Sequence, residues 1–257
     1  VGENDYIDDD KIDLTAMQEN LSSYKGKTST SSPSPHEWEN AFGDADVVFC
    51  ITITSSLSGT YNSAVIAKDI YEHNHTGRKV YVLDSLSTGP EIALFIEKIA
   101  ELIKAGFAPD DIYKTLLEYK DKTHLYFSLA SLNNFAKNGR ISPVIAAGIG
   151  LLGVRVVGKA SDEGTLLPLD KCRGEKRALK KLIDHLKECG YTDGKIIIAH
   201  NNNEAGALEL KKLIENTFGI FNGTIQKTRA LCSYYAEPGS LLIGFEASLC
   251  NHKPYKD

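Results

Sequence analysis

The sequence lacks the features that mark nucleic-acid-binding, metal-binding and membrane-spanning proteins. It has no run of Lys and Arg and a net charge of −5 over 257 residues, which argues against a nucleic-acid partner because phosphate binding needs a basic patch. Its five cysteines contain no Cys-x-x-Cys pair, so neither a zinc site nor a disulfide framework is predicted, and reduced thiols are expected. The most apolar window, residues 141–158, is interrupted by Pro143 and Arg155 and is too short to cross a bilayer. With no recognisable signal peptide, we expect a soluble, cytoplasmic protein without stable membrane insertion.

Sequence motifs of two common enzyme classes are also missing. There is no Gly-x-Ser-x-Gly elbow of a serine hydrolase and no Gly-x-x-x-x-Gly-Lys-Ser/Thr loop of a phosphotransferase. No His stands in a motif that would mark it as a general base, and no paired metal carboxylates are recognisable. The sequence therefore predicts no catalytic residue, no metal and no cofactor.

What is present is an α/β pattern long enough for two domains. With 42% apolar and 25% charged residues, the chain can build one large or two modest cores. Strand and helix patterns alternate in both halves, and a small, apolar segment begins at Pro143. We predict an N-terminal α/β domain with a mainly parallel sheet over residues 1–140, a C-terminal α/β domain over 141–257, and a ligand cleft between them.

The most informative stretch is a strand that ends in hydroxyl groups. Residues 46–54 form an apolar, β-branched run that is typical of a strand buried on both faces, and residues 62–73 have helical spacing. The turn between them contains Ser55, Ser58, Gly59 and Thr60. Amide groups at a helix N-terminus, together with neutral hydroxyls, favour a carboxylate or a phosphate. The alternative is that Ser58 or Thr60 only caps the helix.

A second strand and turn repeat this pattern. Residues 79–84 form the strand and residues 85–90 the hydroxyl-rich turn. Because ligands of open α/β sheets bind at the carboxyl ends of strands, we expect both turns to converge with the Ser-, Thr- and Pro-rich loop around Thr30. Asp84 is expected to accept hydrogen bonds from loop N–H groups rather than to act as an acid. Arg140 is interpreted chiefly as a surface ion-pair residue, with a ligand contact as the alternative.

These segments resemble the DegV family of bacterial fatty-acid-binding proteins. The signature-like stretch is Ser55-Ser56-Leu57-Ser58-Gly59-Thr60-Tyr61-Asn62-Ser63-Ala64, and four further segments match in the same order: Thr30-Ser31-Ser32-Pro33-Ser34-Pro35, Val82-Leu83-Asp84-Ser85, Asn138-Gly139-Arg140-Ile141-Ser142 and Pro238-Gly239. The resemblance spans nearly the whole chain. Its initial strand-helix segment, which family members carry, has no counterpart in the sequence given.

The resemblance implies a carrier for a long-chain fatty acid such as palmitate, stearate or oleate, which a separate fatty acid kinase subunit converts to an acyl phosphate. It implies carboxylate binding by Thr30, Ser55, Ser58 and Gly59. Additional head-group or loop contacts are expected from Ser56, Asp84, Ser85 and Tyr235, and partner docking from Arg173. Where this chain has Tyr235 the family usually has His, so any positive charge from that position is absent.

Three alternatives remain open at this point. A serine hydrolase or a phosphotransferase could use the turn from Ser55 to Thr60, although the missing motifs argue against both. A plain interaction protein is the third.

Overall fold

The computed structural model describes residues 1–146 and 153–247, and this part of the chain forms ten helices and eight strands. The helices are α1 (Leu14–Ser23), α2 (Pro35–Phe42), α3 (Thr60–Asn74), α4 (Pro90–Lys104), α5 (Pro109–Lys120), α6 (Asn133–Lys137), α7 (Pro143–Ala146), α8 (Glu175–Glu188), α9 (Glu204–Phe218) and α10 (Ala230–Ala236). The strands are β1 (Val47–Thr52), β2 (Lys79–Asp84), β3 (Thr123–Leu129), β4 (Val154–Ala160), β5 (Leu166–Arg173), β6 (Ile196–His200), β7 (Gly223–Lys227) and β8 (Leu241–Glu246).

The strands form two sheets. β1 and β2 pair in parallel, with Thr52 opposite Asp84 at their carboxyl ends. The other six form a mixed sheet in the order β5-β4-β3-β8-β6-β7, in which β6 and β7 are parallel and the other neighbours antiparallel. A mixed α/β fold with a parallel sheet is therefore confirmed. β3 precedes residue 140 yet lies in the larger sheet, and the domain boundary itself stays a prediction.

Helix α4 lies between the two sheets. Its buried Leu94 and Phe95 pack in one apolar cluster with Leu83 of β2 and Ile197 of β6. Helices α2 and α3 pack in another cluster on β1 and β2, and α8 and α9 cover one face of the larger sheet. Burial of apolar area on both faces of each sheet is the main stabilising term for these layers.

Side-chain alternation along β3 divides its residues between two clusters. Tyr126 joins the cluster under α8 and α9, whereas Leu125, Phe127 and Leu129 join Leu242 on the opposite face. This follows from the two-residue period of a strand. The second face is the one that borders the candidate site.

Most predicted elements are confirmed, including the hairpin of β4 and β5. Two predictions need correction. The strand expected over residues 224–230 ends at Lys227, and helix α10 begins at Ala230. Cys189 is disulfide-bonded, whereas reduced thiols were expected. Cys50 is buried as predicted, and burial raises its pKa to about 12.

Two further observations concern the apolar segments. Residues 147–152 of the predicted apolar helix lie outside the described residues. Among the residues that are described, no helix is long and apolar enough to cross a membrane.

Candidate ligand-binding site

A cavity of about 400 Å³ lies where the loops of the smaller sheet face the larger sheet. Its described lining residues come from the segment before α2, the loops after β1 and β2, the strands β3 and β8, the hairpin of β4 and β5, and the helices α6 and α10. They are Thr30, Ser31, Ser32, Pro33, Ile53, Thr54, Leu57, Ser58, Gly59, Thr60, Leu86, Ser87, Thr88, Leu125, Phe127, Leu129, Phe135, Arg140, Ala160, Gly164, Thr165, Leu166, Leu231, Cys232, Tyr235, Ala236 and Leu242.

One wall of the cavity is apolar. Alternation along β3 directs Leu125, Phe127 and Leu129 into it, and Leu242 of β8 adds to the same surface. A wall of this kind contacts hydrocarbon and offers no hydrogen bonds. The described lining is thus suited to an apolar chain.

The opposite wall is built from two loops that hold each other. The Thr54 amide donates to the Ser87 carbonyl oxygen at 2.9 Å. Asp84 Oδ1 accepts from the amides of Ser55 and Leu86, each at 3.1 Å. The prediction that Asp84 accepts hydrogen bonds from loop N–H groups is confirmed.

The N-terminus of α3 faces this wall. Its N-cap residue, Gly59, makes no side-chain hydrogen bond, but the Thr60 amide donates to Ser58 Oγ at 3.3 Å, and the Ser58 and Thr60 hydroxyls lie 2.7 Å apart. Ser58 thus partly caps the helix, the alternative that the sequence left open. The Ser63 hydroxyl donates to the Pro33 carbonyl oxygen at 2.6 Å, which fixes the Thr30 loop beside this turn. The three hydroxyl-rich loops therefore converge on one cavity, as the sequence predicted.

Helix α10 closes the cavity beside the Thr30 loop. The hydroxyls of Tyr235 and Thr30 are 2.8 Å apart, and the Tyr235 ring packs on Phe135 with 4.8 Å between ring centroids. Cys232, also on α10, lies 3.6 Å from the Thr88 hydroxyl, and burial raises the pKa of its thiol. A thiol with a raised pKa is a poor nucleophile at neutral pH.

Arg140 is the one charged side chain among the described lining residues. Its Nε donates to the Leu57 carbonyl oxygen at 3.3 Å and its Nη1 to the Asn138 carbonyl oxygen at 2.7 Å. These neutral contacts orient the guanidinium and leave its charge uncompensated by any described carboxylate. An anionic ligand group would supply that compensation.

The predicted site residues divide into two groups. Thr30, Ser58, Gly59 and Tyr235 line the cavity. Ser55, Ser56, Asp84, Ser85 and Arg173 are not among its lining residues. The Ser56 hydroxyl donates to the Glu163 carbonyl oxygen of the hairpin tip, and Ser85 Oγ accepts from the Ser87 amide at 3.1 Å.

Sequence reasoning did not select several of the lining residues. Arg140 was interpreted chiefly as a surface residue, and only its place in the Asn138–Ser142 motif could have indicated otherwise. Thr54, Ser87 and Thr88 follow the strands directly, so their position at the carboxyl ends was the available signal. No group of three or more His, Cys, Asp and Glu that could hold a metal is found in the described ranges.

The amino-acid sequence matches the family model of the DegV proteins over residues 1–248. The chain belongs to the DegV family. A DegV domain-containing protein of Streptococcus pneumoniae is 40% identical over 246 residues, which are 96% of this chain and 88% of the relative.

Two solved structures of DegV proteins are similar to this structure over 96% of its chain. A DegV family protein from Eubacterium eligens, described as loaded with heptadecanoic acid, has a TM-score of 0.93 at 40% identity, covering 96% of this chain and 90% of that one. The fatty acid kinase B3 protein of Streptococcus pneumoniae, described as loaded with linoleic acid, has a TM-score of 0.94 at 40% identity, covering 96% and 88%.

Proposed function

We propose that this DegV protein binds a long-chain fatty acid in the cavity between its sheets. The observation that carries the proposal is an apolar cavity whose one charged described lining residue, Arg140, has no described carboxylate partner. A fatty acid has the complementary form, a hydrocarbon chain with a single anionic end. The two relatives at 40% identity that are described as loaded with fatty acids support the same ligand class.

The proposed ligand would derive its affinity mainly from its chain. Burial of a CH₂ group contributes about 0.8 kcal/mol, so roughly fourteen of them contribute on the order of 10 kcal/mol before ordering costs. A hydrogen bond to a charged group adds about 1.5–3 kcal/mol. The hydrocarbon chain of the ligand thus provides most of the affinity, and its carboxylate determines where the ligand lies along the cavity.

For the carboxylate, we propose contacts with the hydroxyls of Thr30 and Ser58, the start of α3 at Gly59, and Arg140. Ser55 was the other candidate, but its exposed side chain lies outside the cavity. Thr30→Ala and Ser58→Ala should therefore each weaken fatty-acid binding by about 1–3 kcal/mol. Ser55→Ala is the matched control, and a larger loss in that variant than in Ser58→Ala would move the head group to Ser55.

We further propose that the protein presents its ligand to a separate kinase subunit. The name of the B3 relative supports this step. In the described chain no histidine or carboxylate lines the cavity, so no observation favours the hydrolase or phosphotransferase alternative. Arg173 stays the candidate for docking, because it is exposed and its neighbours in sequence on β5 and α8 include further exposed cations: Lys171, Lys176, Arg177 and Lys180.

Native mass spectrometry of the purified protein, followed by organic extraction, tests the binding proposal. We expect a bound fatty acid, or uptake of added oleate at one equivalent. Absence of both would refute it.

The presentation proposal has a separate test. Acyl-phosphate formation should require an added kinase subunit and should fall in Arg173→Ala while oleate binding is retained. Product formed from ATP by the protein alone would show that it is an enzyme.

A further inference from the structure

The N-terminal segment 8–30 is fastened to helix α10 at both of its ends. At its start, Asp8 Oδ1 accepts from the Ala230 amide at 3.2 Å and Oδ2 accepts from the Leu231 amide at 3.0 Å. Arg229 pairs with Asp8 at 3.5 Å and with Asp10 at 3.1 Å. Because α10 has no cap from its own N-cap side chain, Asp8 satisfies amides that would otherwise have no partner.

The middle of the segment is anchored by α1. Met17 is buried, with 4% of its surface exposed. The Gln18 side chain donates to Asn201 Oδ1 at 2.8 Å and accepts from Asn202 Nδ2 at 2.6 Å. Segment 8–30 therefore follows the surface beside α10 as a packed element and not as a loose loop.

At its far end the segment meets the two tyrosines of α10. The Thr28 and Tyr234 hydroxyls lie 2.6 Å apart, and Asn138 Nδ2 also donates to the Tyr234 hydroxyl, at 2.8 Å. The Asn138 carbonyl oxygen in turn accepts from Arg140. Two residues after Thr28, the Thr30 hydroxyl pairs with Tyr235 inside the cavity.

These contacts form one connected set from the acidic loop to the cavity. Helix α10 has only seven residues, too few for a helix to be stable without tertiary contacts. Its orientation, and with it the position of Tyr235, thus depends on its tertiary contacts. These include the contacts with Asp8 and Thr28 and the hydrogen bonds that Asn134 and Asn201 donate to the carbonyl oxygens of Tyr234 and Ser233, each at 2.8 Å. Tyr235 in turn fixes the hydroxyl of Thr30.

We propose that segment 8–30 is a brace that positions the head-group hydroxyls of the ligand site, with Asp8 as its principal positioning residue. The inference rests on the proposed function, because it assigns the brace to the carboxylate end of the fatty acid. Among the described cavity residues, Asp8 accepts a hydrogen bond only from the Leu231 amide, and it acts by holding α10. Its role therefore concerns recognition of the carboxylate and leaves the apolar wall, formed by β3 and β8, unchanged.

The test compares oleate with oleyl alcohol, which has the same chain and no carboxylate. Each ligand displaces the fluorescent fatty acid cis-parinaric acid from the wild type, Asp8→Ala and the control Asp5→Ala. Asp5 lies in the same exposed loop, so its removal changes the net charge equally. We expect Asp8→Ala to lower the preference for oleate over oleyl alcohol by about fivefold, a part of the tenfold or more that a lost hydrogen bond to a charged group costs.

Thr28→Val tests the other end of the brace and keeps the experiment informative if Asp8→Ala does not fold. It should lower the same preference and leave the affinity for oleyl alcohol within about twofold of the wild type. An equal loss of affinity for both ligands would show a purely structural role and overturn the inference, as would an unchanged preference in both variants. A wild type that does not prefer oleate would instead refute the proposed carboxylate site.

Discussion

At the scale of single residues, the proposed preference for an anionic ligand depends on Arg140. The guanidinium is held by two carbonyl oxygens, of Leu57 and Asn138, and lines an otherwise uncharged described surface. Arg140→Ala should weaken oleate binding by about 1.5–3 kcal/mol, or tenfold and more, because a charge-assisted hydrogen bond is lost. Displacement of cis-parinaric acid measures this directly.

The control for this prediction is Arg173→Ala, which removes an equal charge outside the cavity. Arg140→Lys should bind with intermediate affinity, since Lys keeps the charge but cannot reproduce the planar set of donors. Equal affinities in Arg140→Ala and Arg173→Ala would show that Arg140 does not contact the ligand.

Arg140 also shows what sequence reasoning could and could not predict at this scale. A lone Arg after a helix is most often a surface residue, and only the Asn138–Ser142 motif around it could have indicated otherwise. Its direction is set by the Leu57 carbonyl oxygen, which is 83 positions away in sequence. In contrast, the loops after β1 and β2 could be predicted to lie close together because the carboxyl ends of parallel strands share one edge. Thr30 follows no described strand, so only the family resemblance indicated its role.

At the scale of elements, the tip of the hairpin lines the cavity and packs on the loop that follows β1. The Thr54 hydroxyl donates to the Gly164 carbonyl oxygen at 2.8 Å. Gly164 has a φ of +77°, and a Cβ there would lie 2.1 Å from Thr54 Oγ1 and 3.1 Å from the backbone of Leu86. Only glycine fits both the left-handed conformation and the close approach.

Gly164→Ala should therefore destabilise the protein by more than about 2 kcal/mol and weaken oleate binding, since the tip must move away from Thr54. Gly106→Ala is the matched control, with a φ of +79° and no atom within 4 Å of the new Cβ. It should cost only the left-handed backbone term of about 1–2 kcal/mol. Urea unfolding measures the free energy of unfolding of both variants. Equal losses of stability would mean that the contact with Thr54 contributes nothing.

Helix α4 carries a carboxyl group that makes stability depend on pH. Glu91 in its first turn is 4% exposed and accepts from the Thr123 hydroxyl at 2.8 Å. Burial raises its pKa to about 7 from 4.5, although the hydrogen bond from Thr123 and the charge of Lys120 oppose the shift. Because the folded state binds this proton more tightly than the unfolded state, the stabilisation is complete below pH 4.5 and is lost as the pH rises through 7.

Glu91→Gln should remove this dependence. The free energy of unfolding of the variant minus that of the wild type should increase between about pH 4.5 and 7. The total increase should be on the order of 3 kcal/mol. Urea unfolding between pH 5 and 8 measures the difference, with the exposed Glu209→Gln as the control. A difference between Glu91→Gln and the wild type that does not change with pH would contradict the assignment.

Elements with strong periodicity were predictable, and α10 was not. The alternation in β3 and the apolar spacing in α4 repeat over enough residues to specify their type and their buried face. The seven residues of α10 contain Ser, Cys and two Tyr and follow directly on a strand. The first two amides of this helix donate to Asp8, which is 222 positions away from Ala230, and such contacts are not visible as a local pattern.

At the scale of the whole molecule, the cavity is shared by both sheets. β3 and β8 form its apolar wall, whereas the loops after β1 and β2 form its polar wall. A ligand in this place contacts both layers, and its binding site exists only when the sheets are docked on each other. Ligand binding should therefore stabilise the docked arrangement as a unit.

The last prediction follows from this shared site. Oleate at one hundred times its dissociation constant should raise the free energy of unfolding by about 2.7 kcal/mol. Amide hydrogen exchange should then slow in both sheets, and the factor for β1 and β2 should be similar to that for β3 and β8. The reason is that each sheet can open fully only after the ligand has left. Oleyl alcohol at the same concentration should protect both sheets less, since it lacks the contact with Arg140. Protection confined to one sheet would show that the ligand does not contact both walls and would place it outside the cavity.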